Sequence, residues 1–77
     1  MNRKAIHTEA ELAALAKKVR LAARKNRAQA ARELGVARPT VFQAEENPEL
    51  SLFKLRKRII EYYSPYKVIG PFYLLKK

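Results

Sequence analysis

In the run RPTVFQAEE (Arg38–Glu46), an arginine, a threonine, an aromatic ring and a glutamine lie close enough to share one side of a short helix. None of them is a nucleophile beside a base, so the chemistry they offer is recognition. An arginine forks onto guanine O6 and N7, a glutamine bridges adenine N6 and N7, and a phenyl ring lies against the 5-methyl of thymine. At about 100° per residue from Pro39, Phe42, Gln43 and Glu46 fall on the proline's side while Val41 and Ala44 fall opposite. The apolar pair turns inward. Arg38, Pro39, Phe42 and Gln43 are then outward, with Thr40 on the flank within reach of a base or a phosphate. Phe42 has an alternative place in the core under a following helix, because so short a chain has few large apolar residues to spare. Glu46, at the helix end, reads as solvated.

Bond-making chemistry has little to work with. The chain has one histidine, His7, no cysteine and no aspartate, and its only serines are Ser51 and Ser64. The seven acidic residues are all glutamates, none with a histidine at ligand spacing. The two glycines, Gly35 and Gly70, are too few and too far apart for a loop that cradles phosphates. No catalytic residue, metal, cofactor or small-molecule ligand is therefore expected. Charge points elsewhere: 17 Lys and Arg against 7 acidic residues leave a formal +10. A small domain so basic is suited to the phosphates of DNA or RNA, and charge alone does not choose between them.

Seventy-seven residues make one domain, and a domain of this size buries only about 60% of the surface its unfolded chain exposes. With no disulfide or zinc site to reinforce it, association into a homodimer is the expected remedy. No apolar run reaches the roughly 18 residues of a membrane span, and MNRKAIHTEAEL turns polar too early for a signal peptide. A soluble protein of the cytoplasm is expected, in keeping with the absence of cysteine.

The elements that would carry the recognition residues are short helices. Thr8 with Glu11 forms a capping box that opens a helix over about 8–25. Its apolar stripe is Leu12, Leu15, Ala16, Val19 and Ala23. Lys17, Arg20 and Arg24 on one flank, and Lys18 and Lys25 on the other, read as a solvated charged surface. Leu21, opposite the stripe near Ala14, is expected to be exposed or covered by a partner. A second capping box, Asn26 with Gln29, opens a helix over 27–34 that stops at Gly35. A third helix spans 39–46, with Pro39 as its first residue and Arg38 just off its end. A fourth, over 51–63 and capped by Ser51, has Leu52, Leu55, Ile59 and Tyr63 as its stripe, widened by Phe53 and Ile60. Its KLRKR run reads as outer face.

Two short helices joined by a glycine turn are the pattern of a helix-turn-helix. RAQAARELGVARPTVFQAEE (27–46) resembles the helix-turn-helix of the Cro and phage-repressor-like (Xre-type) family. Ala31, Gly35 and Val41 match the small residue, turn glycine and β-branched residue that let the two helices cross closely. Ala30, Leu34, Val36 and Ala44 occupy the other inward places. The resemblance extends loosely to the preceding helix and to NPELSLFKL, and stops near Tyr63. It departs from the family at Ala37, where a serine or threonine commonly caps the recognition helix.

The resemblance implies a mainly α fold, a four-helix lambda-repressor-like domain over 1–63. It places base contacts at Arg38, Pro39, Thr40, Phe42 and Gln43, and pairs Glu45 with an arginine of the first helix. Backbone phosphates are expected at Asn26, Arg27 and Gln29, where the helix amides point outward, assisted by Arg24, Lys25 and Arg32. MNRK at the N-terminus has the composition of a basic arm.

The tail, 64–77, is β-prone, and Pro65 and Pro71 forbid a continued helix. A lone strand leaves backbone groups unpaired, so it forms either a small hairpin at Gly70–Pro71 or a pairing with the same strand of a second chain. Dimerisation is the favoured reading, through Tyr66, Val68, Ile69, Phe72, Tyr73, Leu74 and Leu75, with Leu21 as a docking point. The function expected from all this is a dimeric, sequence-specific regulator of transcription. It would bind double-stranded DNA, most simply as a repressor on a pseudo-palindromic operator. A basic RNA-binding or ribosome-associated protein, and an autoregulating antitoxin of the same fold, are the alternatives.

Overall fold

A computed structural model describes residues 8–69 and 74–76 of the chain. Four helices, α1 (Glu9–Ala22), α2 (Arg27–Leu34), α3 (Arg38–Glu46) and α4 (Phe53–Tyr63), are followed by strands β1 (Lys67–Ile69) and β2 (Leu74–Lys76). The domain is mainly α, as expected. Both capping boxes form. Thr8 Oγ1 accepts the Glu11 amide at 3.1 Å while the Glu11 carboxylate accepts the Thr8 amide at 3.0 Å. Asn26 Oδ1 accepts the Gln29 amide at 2.7 Å, and Gln29 Oε1 accepts the Asn26 amide at 2.9 Å. Each cap satisfies helix-end donors that would otherwise have only water, a contribution of about 1 kcal/mol.

Three helix boundaries differ from the sequence expectation. α1 ends at Ala22 rather than near Lys25, because Arg24 adopts a left-handed φ of 62°. The Lys25 amide then reaches back to the Arg20 carbonyl at 3.2 Å and the Arg24 amide to Leu21 at 2.9 Å. This pair of bonds is the Schellman ending that glycine usually makes. α2 ends in the same way at Gly35, φ 72°, with Val36 donating to Ala31 at 3.0 Å and Gly35 to Arg32 at 3.3 Å. α3 takes in Arg38 as its first residue, so Arg38 stands in the helix rather than off its end, and Pro39 comes second. Proline is tolerated there because the amides of the first turn have no partner within the helix in any case. α4 begins at Phe53 with Leu52 as an uncapped N-cap, so Ser51 does not cap it.

One buried cluster joins every helix: Leu12, Ala16 and Val19 of α1, Ala30, Ala31 and Leu34 of α2, Val41 and Ala44 of α3, and Leu55, Ile59 and Ile60 of α4. Ile59 and Ile60 are fully enclosed, and each such side chain contributes about 1.5–3 kcal/mol by leaving water. Ala30 and Ala31 of α2 pack in the same cluster as Val41 and Ala44 of α3. Leu21 is 54% exposed, as its position opposite the stripe requires.

The tail takes the hairpin form that stood as the alternative to pairing with a second chain. β1 pairs antiparallel with β2 of its own chain, with Val68 opposite Leu75. The Val68 side chain is 2% exposed and belongs to the core cluster, and Tyr66 packs against it. Val68 is therefore a core residue, and pairing within one chain removes the need for a second chain to satisfy β1. The Val68 amide also donates to Glu61 at 2.8 Å, tying the strand to α4. Phe72, Tyr73, the Gly70–Pro71 turn and the MNRK arm lie outside the described residues.

Candidate functional site

The surface of α3 is sorted by its helical period. Val41, Ala44 and Glu45 are buried, while Arg38, Pro39, Phe42, Gln43 and Glu46 are exposed and Thr40 is half-buried. Phe42 keeps 46% of its surface. That excludes the core place the sequence left open to it. Arg38, Pro39 and Phe42 line an open cleft of about 580 Å³ together with Asn26, Arg27 and Ala28 of the α2 start, with Arg20 in its wall. Residues from the ends of two helices and the turn before α2 thus converge. The first two amides of α2, at Arg27 and Ala28, have no protein acceptor among the described residues, whereas Gln29 is occupied by its cap.

Beneath this surface runs a chain of alternating charges. Arg20 Nε and Nη2 donate to the two oxygens of Glu45 at 2.6 and 2.9 Å, and its Nη1 donates to the Lys25 carbonyl at 2.7 Å. Both side chains are almost wholly buried, at 5% and 0% exposure. A buried ion pair is tolerable only when its hydrogen-bonding capacity is filled in this way. Arg27 continues the chain, Nε to Glu45 at 3.0 Å and Nη2 to Glu46 at 2.6 Å, and Lys17 closes it on Glu46 at 2.8 Å. The Lys17 hydrogen bond, with the charges of Lys17 and Arg27, holds the Glu46 carboxyl below the usual glutamate range against a smaller opposing effect of desolvation. The guanidinium of Arg27 also lies over the Phe42 ring, 4.8 Å from its centroid.

Two arginines of α4 hold the same unit from below. Arg56 is fully buried; its Nε donates to the Ala44 carbonyl at 2.8 Å, its Nη2 to the Asn47 carbonyl at 2.8 Å, and its Nη1 to Glu9. Arg58 donates to the Leu34 carbonyl at 2.6 Å. The carbonyl ends of α3 and α2 are thereby capped by cations, which their dipoles favour.

The expected phosphate ligands divide. Asn26 and Arg27 line the cleft, whereas Gln29 is not among its lining residues and is held by the capping box. Arg24 and Arg32 are exposed and, among the described residues, form no ion pair; Arg32 lies about 7.5 Å farther down the α2 axis than Arg27. Lys25 is engaged by Glu33 at 3.0 Å. The hydrogen bond from Tyr63, ahead of Lys25, keeps Glu33 below the usual carboxylate range. Arg27 is committed to two carboxylates, a poor fit to the free phosphate ligand the sequence expectation made of it.

Arg20 and Arg56, read as part of solvated faces, are buried. The pairing of Glu45 with a first-helix arginine is present, and that arginine is Arg20. Arg56 had a visible signal: it stands four residues after Leu52 and three before Ile59, within the apolar stripe rather than beside it. Glu46 carried no such signal, since its partners come from α1 and α2.

The arrangement brings guanidinium donors, an exposed ring and the positive end of α2 to one cleft, with the Gln43 amide exposed on the same helix as the ring. Compared with known proteins, the chain matches no family model, no curated protein and no solved structure. Among the described residues no helix is long and apolar enough to cross a membrane.

Proposed function

We propose that this protein is a sequence-specific double-stranded DNA-binding regulator of the Cro and phage-repressor type, with α3 as its recognition helix. The observation that carries the reading is the outward face of α3: Arg38 and Phe42 are exposed beside the start of α2 and Gln43 is exposed on the same helix, while Val41, Ala44 and Glu45 hold the helix from behind. Arg38 is the foremost base reader, at the helix end nearest the cleft, with Gln43 and Phe42 next along the groove and Pro39 and Thr40 against its wall. Arg24, Arg32 and the first α2 amides supply backbone phosphate contacts. A net charge of +10 supports the same partner.

The simplest action of such a regulator is occlusion of a promoter in the cytoplasm. Two copies related by two-fold symmetry would place their α3 helices in successive major grooves, about 34 Å apart.

The test is selection of bound sites from random duplex DNA, followed by titration of the selected site, a scrambled duplex and a structured RNA at moderate salt. The selected site is expected to be a pseudo-palindrome bound far more tightly than the other two. Arg38→Ala is expected to cost about 1–3 kcal/mol on the selected site and to relax one position of it, with only a small effect on scrambled DNA. Equal binding of specific and scrambled duplex, or preference for the RNA, overturns the reading.

A further inference from the structure

Arg27 and Phe42 form a unit that neither the charge nor the helix pattern assigns. The guanidinium covers one face of the ring, 4.8 Å from its centroid, and is itself clamped by Glu45 at 3.0 Å and Glu46 at 2.6 Å. Glu45 cannot move to follow a ligand, because it is buried and doubly held by Arg20. The position of Arg27 is therefore inherited from a buried ion pair. Releasing it to a phosphate would break two charge-assisted bonds, one of them to a carboxylate enclosed by protein. Arg24 and Arg38, exposed and without ion pairs among the described residues, carry no such penalty.

An exposed phenyl ring would normally sample several orientations. A cation on one face restricts it, with an attraction of modest size that grows where water is excluded. With one face so covered, Phe42 still keeps 46% of its surface accessible. Such a surface is flat, apolar and fixed before binding, so a small apolar group meeting it loses little to ordering.

We infer that Arg27 is a positioning residue for Phe42, clamping the ring so that its open side receives the 5-methyl group of a pyrimidine and separates thymine from uracil. The inference rests on the duplex-DNA reading above and names what that surface selects. It removes Arg27 from the phosphate ligands, and it gives the protein a means of preferring DNA over RNA of equal sequence at that base. 5-Methylcytosine carries the same methyl group and is received in the same way.

The test uses the selected duplex with single thymines replaced by deoxyuridine, which deletes only the methyl. For the natural protein one position in each half-site is expected to lose about fourfold in affinity, the worth of one methyl-sized group leaving water. Phe42→Ala is expected to be insensitive to that replacement. Arg27→Met and Glu46→Gln, the second leaving the buried Arg20–Glu45 pair intact, are expected to reduce the sensitivity toward zero. The salt dependence of Arg27→Met binding should stay within about 0.3 of the natural slope, since no phosphate contact is lost.

If Arg27→Met keeps the fourfold discrimination and its slope falls by about 0.9, Arg27 is a phosphate ligand and the inference is wrong. If no thymine responds in a site that is nevertheless specific, the inference fails while the DNA-binding reading stands. Failure of the selection itself removes both, and is seen before any deoxyuridine is introduced. An arm without DNA completes it: the Arg27 side-chain protons should lie upfield in the nuclear magnetic resonance spectrum and return to ordinary shifts in Phe42→Leu. Ordinary shifts in the natural protein overturn the clamp.

Discussion

Arg24 holds a conformation that few side chains accept. Its φ of 62° is demanded by the end of α1, where the Lys25 and Arg24 amides turn back on the helix. Glycine fills that place without the crowding of a Cβ against the carbonyl, a difference of about 1–2 kcal/mol, part of which is returned by glycine's greater freedom when unfolded. Arg24→Gly is expected to stabilise the protein by about 0.5 kcal/mol, read from the urea midpoint. The same change removes an exposed cation that the DNA-binding reading places on phosphate. The slope of log affinity against log salt is then expected to fall by about 0.9. Opposite signs in stability and binding would explain why an arginine, rather than a glycine, occupies this turn. Nothing local in the sequence separates Arg24 from Arg20: both flank the same stripe, and only a glutamate 25 residues from Arg20 makes one buried and leaves the other in water.

At the scale of elements, α4 supports the α2–α3 unit through its cations as well as its apolar stripe. Arg56 gives two donors to the carbonyls at the end of α3 and a third to α1. Arg56→Met keeps the stem and its packing but leaves the Ala44 and Asn47 carbonyls without their donor. A loss of about 3 kcal/mol is expected in chemical denaturation, because buried acceptors left unpaired cost about 1–3 kcal/mol each. Lysine should rescue little, since a single ammonium cannot reproduce a planar fork.

Between the two helices Gly35 provides the second left-handed turn, and a Cβ added there would meet nothing within 4 Å. Gly35→Ala is therefore expected to cost only the backbone strain, about 1 kcal/mol, read in the same denaturation experiment. The spacing of Asn26, Gln29 and Gly35 made α2 legible. The true start of α3 was less so, since a residue before proline is biased away from helix, and α3 nevertheless takes in Arg38.

For the whole molecule, three carboxylates act as stitches between elements. Glu46 joins α3 to α1 and α2, Glu33 joins α2 to Tyr63 of α4 at 2.5 Å, and Glu61 joins α4 to the β1 backbone. All three titrate below the ordinary glutamate value of 4.5. For Glu61, burial pulls upward, but the Val68 amide and Lys57 together outweigh it. The folded protein thus binds these protons less readily than the unfolded chain. Their stabilisation is present above pH 4.5 and is lost as pH falls through the depressed values. Tyr63 is displaced the other way, by burial first and by its bond to Glu33 second, so its contribution is full below pH 10 and declines above it. Melting temperature against pH is expected to show a plateau between these limits. Glu33→Gln should flatten both shoulders, because it removes one partner of each.

The sequence by itself determined what is set within about one helical turn: two capping boxes, a glycine stop, the apolar stripes and the inward and outward sides of α3. It also determined the net charge of +10. What only the tertiary structure decided is the fate of groups whose partners are distant along the chain. Arg20 and Arg56 became buried, Arg27 was taken by Glu45 and Glu46, Phe42 stayed in the open under a guanidinium, and Val68 entered the core of its own chain. Local pattern fixes which way a side chain points. Whether a charge there meets water or a carboxylate depends on how helices pack, and the same arginine satisfies a helical pattern in either setting.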